Sequence, residues 1–178
     1  MVECRRHAAP PGVASLLSRR VLVLGTASLL AGCGAAPAPR QTTLGMRILV
    51  DGDANRGPAG QPLPILVRLY ALRSDMEFQQ TDFLTLFNAE PQALGQSLVS
   101  RKEFVIPPGG TEVYVDSLPT EAVFVGIMAA FRSVDQAQWR AIAPLQPGVV
   151  NDLQVNVVDL QVVVQVVKVG PKPFALPI

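Results

Sequence analysis

The sequence predicts a mainly β domain, a two-sheet sandwich of seven to eight strands with one short helical segment added. Three observations lead there. Apolar residues alternate with polar ones at period two in several short segments, and turn-forming clusters of Pro, Gly, Asn and Asp separate those segments. The composition agrees, with 14 Gly, 16 Pro, 49% hydrophobic and only 16% charged residues. Of the 178 residues the first 32 read as a leader, and what remains has the usual length of one domain.

The leader comes first. Arg19 and Arg20 precede the ten-residue run Val21 to Leu30, and Ala31-Gly32-Cys33 follows. A basic region, a short apolar region and small residues before a cleavage point make a secretory signal. Ten helical residues reach only about 15 Å, half of a hydrocarbon core roughly 30 Å thick, so a permanent membrane helix is not expected. Leu30-Ala31-Gly32-Cys33 further reads as a lipobox, in which the Cys33 thiol takes a diacylglycerol and its freed amino group an N-acyl chain. Several acyl chains on one residue make anchoring stable where a single chain would be marginal. Gly34 stands where an aspartate would retain the protein at the inner membrane in enteric bacteria, which favours the outer membrane. Ser18-Arg19-Arg20 is compatible with twin-arginine export as well as with the general route. The expected organisation is a signal peptide over 1–32, a lipidated Ala- and Pro-rich tether over 33–43, and a sandwich domain over 44–178.

The domain opens with Leu44, Met46, Ile48 and Val50 on one face of a strand, interrupted by the loop Asp51 to Pro64. A second strand, Pro64 to Leu72, turns Ile65, Val67, Leu69 and Ala71 one way and Arg68 and Tyr70 the other, with Tyr70 half-buried. Phe83, Leu86 and Phe87 then recur at helical spacing behind Thr81 and Asp82, which predicts a helix over 82–88 and a further turn from Pro91 to Gly95. Strands follow at Lys102 to Ile106, Thr111 to Asp116, Ala122 to Phe131, Leu153 to Val158 and Leu160 to Val167. Trp139, in the connection from Arg132 to Gly148, is expected to cover one end of the core. The valine run from Val162 to Val167 is expected inside a sheet, because as an exposed edge it would invite aggregation.

Catalytic chemistry is poorly provided for. The one histidine, His7, and Cys4 lie in the leader, and Cys33 is the lipidation site, so the domain has no imidazole base, thiol nucleophile or disulfide. Serines 74, 97, 100, 117 and 133 stand in no nucleophile elbow. Asp51-x-Asp53-x-Asn55 starts like a calcium loop, but Arg56 replaces the required glycine and Pro62 the bidentate glutamate, so Asx turns explain it better. No enzyme activity, metal or cofactor is expected beyond the acyl groups. Four of the 15 basic and one of the 14 acidic residues precede Cys33, leaving the mature chain near −2 with no basic stripe for nucleic acid.

Several segments together resemble one family. They are the lipobox, Asp53-Ala-Asn-Arg-Gly57 leading into Pro62 to Leu72, Phe78-x-x-x-Asp82-Phe83, and Gly126-Ile-Met-Ala-Ala-Phe-Arg132 with Trp139-Arg140. In order and spacing across nearly the whole mature chain they are similar to the outer-membrane lipoproteins of type VI secretion systems (TssJ type, VasD- and SciN-like). The resemblance implies a transthyretin-like sandwich held at the periplasmic face of the outer membrane. It implies an adaptor role in the secretion core complex, with the periplasmic C-terminal region of a TssM-type inner-membrane subunit as partner and no small-molecule substrate. Asp53, Asn55, Arg56, Gly57 and Gln61 are the partner-binding residues it points to, and a scaffolded loop suits such a role. The competing reading is an envelope lipoprotein that binds a small ligand or a cell-wall polymer. A ligand site needs convergent polar groups, and the strand sequences offer almost none.

Overall fold

The computed structural model describes residues 41–170. The leader, Cys33 and most of the tether lie outside these residues. Eight strands build two four-stranded sheets: β1 (Thr42–Val50), β2 (Ile65–Leu72), β3 (Leu98–Ile106), β4 (Thr111–Leu118), β5 (Phe124–Ala130), β6 (Arg140–Pro144), β7 (Val150–Val158) and β8 (Gln161–Gly170). One sheet has the order β4-β1-β7-β8 and the other β3-β2-β5-β6. Every pairing is antiparallel except β1 with β7.

Period-two patterning produces this arrangement directly. Leu44, Met46, Ile48 and Val50 of β1 are buried while Thr43, Gly45, Arg47 and Leu49 alternate outward. Across the sandwich they meet Ile65, Val67, Leu69 and Ala71 of β2, with Val125 and Ile127 of β5 and Leu153, Val155 and Val157 of β7 in the same core. Each fully buried Leu, Ile or Val contributes about 1.5–3 kcal/mol, so this alternation is the main force holding the sheets together. Strand β1 starts at Thr42, within the predicted tether, and the Thr42 hydroxyl accepts from the Gly148 N–H at 3.0 Å.

The helical segment lies on the outer face of the second sheet. It comprises α1 (Met76–Gln80), α2 (Phe83–Asn88) and α3 (Glu90–Leu94). Asp82 caps α2 by accepting from the Thr85 N–H at 3.0 Å, as its position in the sequence predicts. The helix α1 was not predicted, because Met76-Glu-Phe-Gln-Gln80 is too short to display a period. Phe78, Leu86 and Leu94 form a second apolar cluster with Tyr70, Leu72 and Met128. The Phe78 ring rests on Gly126, where any Cβ would stand 2.9 Å from Cζ, so only glycine admits the ring there.

Four expectations need correction. Tyr70 is fully buried rather than half-buried, since the helices cover the face it points to. The connection from Arg132 to Gly148 contains the strand β6, five residues with too little alternation to stand out. Trp139 packs against both apolar clusters rather than only capping one end, with its ring edge-on to Phe83 at 5.3 Å. The valine run forms β8, which is an edge strand and not an inner one. Three features make that edge tolerable: Gln138 bonds to Leu160 and Val162 and closes its first turn, a register shift lies opposite Asp152 and Leu153, and Lys168 stands near its end.

Candidate functional site

The loop between β1 and β2, residues 51–64, is an ordered object built from its own sequence. The Asp51 carboxylate accepts from the Asp53 N–H at 2.9 Å, forming an Asx turn, and the Ala54 N–H bonds back to the Asp51 carbonyl at 3.2 Å. Ala54 and Asn55 are then buried while their neighbours stay exposed. From Arg56 to Pro62 the chain forms a small hairpin. Arg56 and Pro62 pair as a bridge, the Gly57 N–H donates to the Gln61 carbonyl at 2.7 Å, and the Gly60 N–H to the Gly57 carbonyl at 2.9 Å. Pro58 sits at the second position of this turn and Gly60 closes it at φ 78°, a conformation that glycine adopts without steric cost.

Side chains fasten the hairpin to itself and to the sandwich. Arg56 donates to the Gly60 carbonyl at 2.8 Å and pairs with Asp53 at 2.5 Å. With these side chains 52% and 66% exposed, the ion pair contributes at most about 1 kcal/mol and serves mainly to orient the guanidinium. Gln61 folds its amide over Gly57 and accepts from the Ala59 N–H at 3.1 Å. Asn55 works inward: its Nδ2 donates to the Pro64 carbonyl at 2.9 Å and its Oδ1 accepts from the Arg132 N–H at 2.8 Å. Of the five residues singled out in the sequence, Asp53, Arg56 and Gln61 therefore present side chains to solvent. Asn55 and Gly57 shape the loop that carries them.

The loop does not stand alone. Antiparallel and parallel pairing bring three other connections to the same end of the sandwich. The Val50 N–H donates to the Gly110 carbonyl in the turn after β3, the Asp51 N–H to Val157 at the end of β7, and Asn55 holds Arg132 after β5. Residues 107–110, 131–139 and 158–160 thus lie at the same pole as the loop. Sequence reading missed this grouping, although every second strand end marked by a turn signal belongs to the same pole. Thr42 lies at the other pole, some 26 Å away along β1 at about 3.3 Å per residue. Among the described residues no group of three His, Cys, Asp or Glu side chains is placed to hold a metal ion.

The comparisons with known proteins agree with one another. A family described as type VI secretion lipoprotein, VasD, EvfM, TssJ, matches residues 42–160. Among solved structures the chain is similar to the type VI secretion lipoprotein TssJ1 from Pseudomonas aeruginosa, with 25% identity and a TM-score of 0.68 over 71% of this chain and 96% of that one. It is similar to Serratia marcescens Lip, a membrane-bound component of the type VI secretion system, with 25% identity and a TM-score of 0.63 over 71% and 97%. A chain in a structure described as the TssM C-terminal domain from EAEC matches with 27% identity and a TM-score of 0.59 over 68% and 99%. No curated protein sequence matches.

Proposed function

Because the chain belongs to the type VI secretion lipoprotein family, we propose that it is the lipid-anchored adaptor of a secretion membrane complex. In this reading Cys33 carries the acyl chains, the outer membrane holds them, and the domain faces the periplasm. The hairpin from Arg56 to Pro62 and the connections around it bind the periplasmic C-terminal region of a TssM-type inner-membrane subunit. The protein acts by binding and not by catalysis.

One observation carries this reading. The pole holding the hairpin is opposite the pole where the chain enters β1 from its tether, so an anchored domain presents the loop away from the bilayer. The hairpin is ordered by its own bonds before any partner arrives, which lowers the entropy lost on association. The similarity to a chain in a structure described by a TssM domain supports the choice of partner. The test is co-isolation from detergent-solubilised envelopes: the lipoprotein is expected to retain the TssM-type subunit, and a variant lacking residues 57–61 to lose it. Equal retention by that variant would place the contact elsewhere.

A further inference from the structure

Where the chain leaves β5 at the loop's pole, one side chain has no use inside the domain. Phe131 is 4% exposed and packs into the sandwich core. The next residue, Arg132, donates its N–H to the Asn55 side chain at 2.8 Å, which fixes where its own side chain leaves the backbone. Any residue but proline supplies that N–H, so the brace does not call for arginine. The guanidinium is exposed and makes no hydrogen bond or ion pair among the described residues. Other exposed arginines differ. Arg56 is held by Asp53 and the Gly60 carbonyl, Arg73 by Glu121 and the Gln96 carbonyl, and Arg140 by the Phe78 and Thr81 carbonyls.

The charges of the pole give this side chain an outward role. Within residues 51–64, 107–110, 131–139 and 158–160, four carboxylates are exposed, Asp51, Asp53, Asp135 and Asp159, against two guanidiniums, Arg56 and Arg132. Such an excess repels a partner's carboxylates wherever no cation is open to them. Arg56 already faces Asp53, which leaves Arg132 as the cation of this pole open to an outside anion. A guanidinium meets a carboxylate through two parallel N–H···O bonds, so the contact fixes register as well as adding affinity. Resting on the reading that this pole meets a TssM-type subunit, we propose that Arg132 is a specificity-determining anchor that receives an Asp or Glu side chain of that partner. In that reading the pole faces away from the anchoring bilayer, so a protein carboxylate and not a lipid phosphate is the occupant.

The affinity of the full-length lipoprotein for the full-length TssM-type subunit, both in detergent, reads the contact. Arg132→Gln is expected to keep the wild-type melting temperature and to bind about tenfold more weakly. Arg132→Lys is expected to fall between the two, because an ammonium lacks the paired geometry. Wild-type binding with Arg132→Gln within about threefold of it overturns this assignment alone, whereas no wild-type binding overturns the underlying reading as well. Should Arg132→Gln melt lower, carbodiimide crosslinking of Arg132→Lys in the complex, followed by peptide mapping, decides. An amide joining position 132 to a partner Asp or Glu supports the proposal, and none forming at that position overturns it.

Discussion

Asn55 and Arg132 lie 77 residues apart in sequence and are joined by a 2.8 Å hydrogen bond from the Arg132 N–H to the Asn55 side-chain oxygen. Asn55 makes this bond from the left-handed region, at φ 56°, where asparagine is better tolerated than most residues. The same side chain donates to the Pro64 carbonyl, so one residue ties the loop's Pro64 end to the connection after β5.

Asn55→Ala is therefore expected to destabilise the domain by about 2–3 kcal/mol, since it leaves a part-buried N–H and a carbonyl without their partners and strains the backbone. Arg56→Ala, on an exposed side chain, is expected to stay within about 0.5 kcal/mol of wild type. Urea denaturation at constant m-value measures both. Equal stability of Asn55→Ala and wild type would show that the loop is not braced this way.

A polar cluster joins the helical segment to β2 and β3. Arg68 donates to the Phe87 carbonyl at 2.7 Å and pairs with Glu103 at 2.7 Å and Glu90 at 3.3 Å, while the Tyr70 hydroxyl donates to Glu90 at 3.1 Å. Arg101 pairs with the other Glu90 oxygen at 2.6 Å. Tyr70→Phe is expected to cost about 1 kcal/mol, and Arg68→Met about 3 kcal/mol because a largely buried carboxylate loses one of its cations. Hydrogen exchange over 83–94 is expected to accelerate in Arg68→Met. Unchanged exchange there would mean that the Arg68 contacts do not hold the segment.

Hydrogen bonding from Thr85, through its hydroxyl and then its backbone N–H, holds the Asp82 carboxyl below the usual carboxylate range. A folded-state pKa that is depressed adds stability above the unfolded value, and that stability is lost as pH falls through the folded value. Asp82→Ala is thus expected to lower the melting temperature at pH 7, and the gap from wild type to narrow as pH falls below about 4. A gap that stays constant down to pH 3 would assign the effect to something other than the ionised cap.

Legibility in the sequence followed the strength of local patterns. Strand β1 and the helix cap at Asp82 were readable because alternation and capping chemistry act over a few residues. Burial of Tyr70 was not, since it depends on α1 to α3 folding back onto β2 from the far side of a turn. The edge position of β8 was hidden for a related reason: a run such as Val162 to Val167 reads the same in an inner or an outer strand, and pairing partners decide. At the candidate site the loop was visible as a run of turn formers. The inward role of Asn55 and the company of residues 107–110 and 131–139 came only with the topology.

Lipidation at Cys33 is expected to govern membrane attachment. Metabolic labelling with a palmitate analogue should mark the wild type and not Cys33→Ser, and the serine variant should leave the outer-membrane fraction. A serine variant that still co-sediments with outer membranes would mean that another contact anchors the chain.

Isothermal titration of the TssM-type periplasmic region into the lipoprotein reads recognition by the hairpin. The double variant Asp53→Ala with Arg56→Ala removes the two exposed side chains that form the hairpin's ion pair while leaving the Asn55 brace in place. Its melting temperature should match the wild type, and its Kd should rise by about tenfold or more, as for loss of a charged anchor at an interface. Binding within about threefold of wild type by a normally folded double variant would place recognition outside the hairpin.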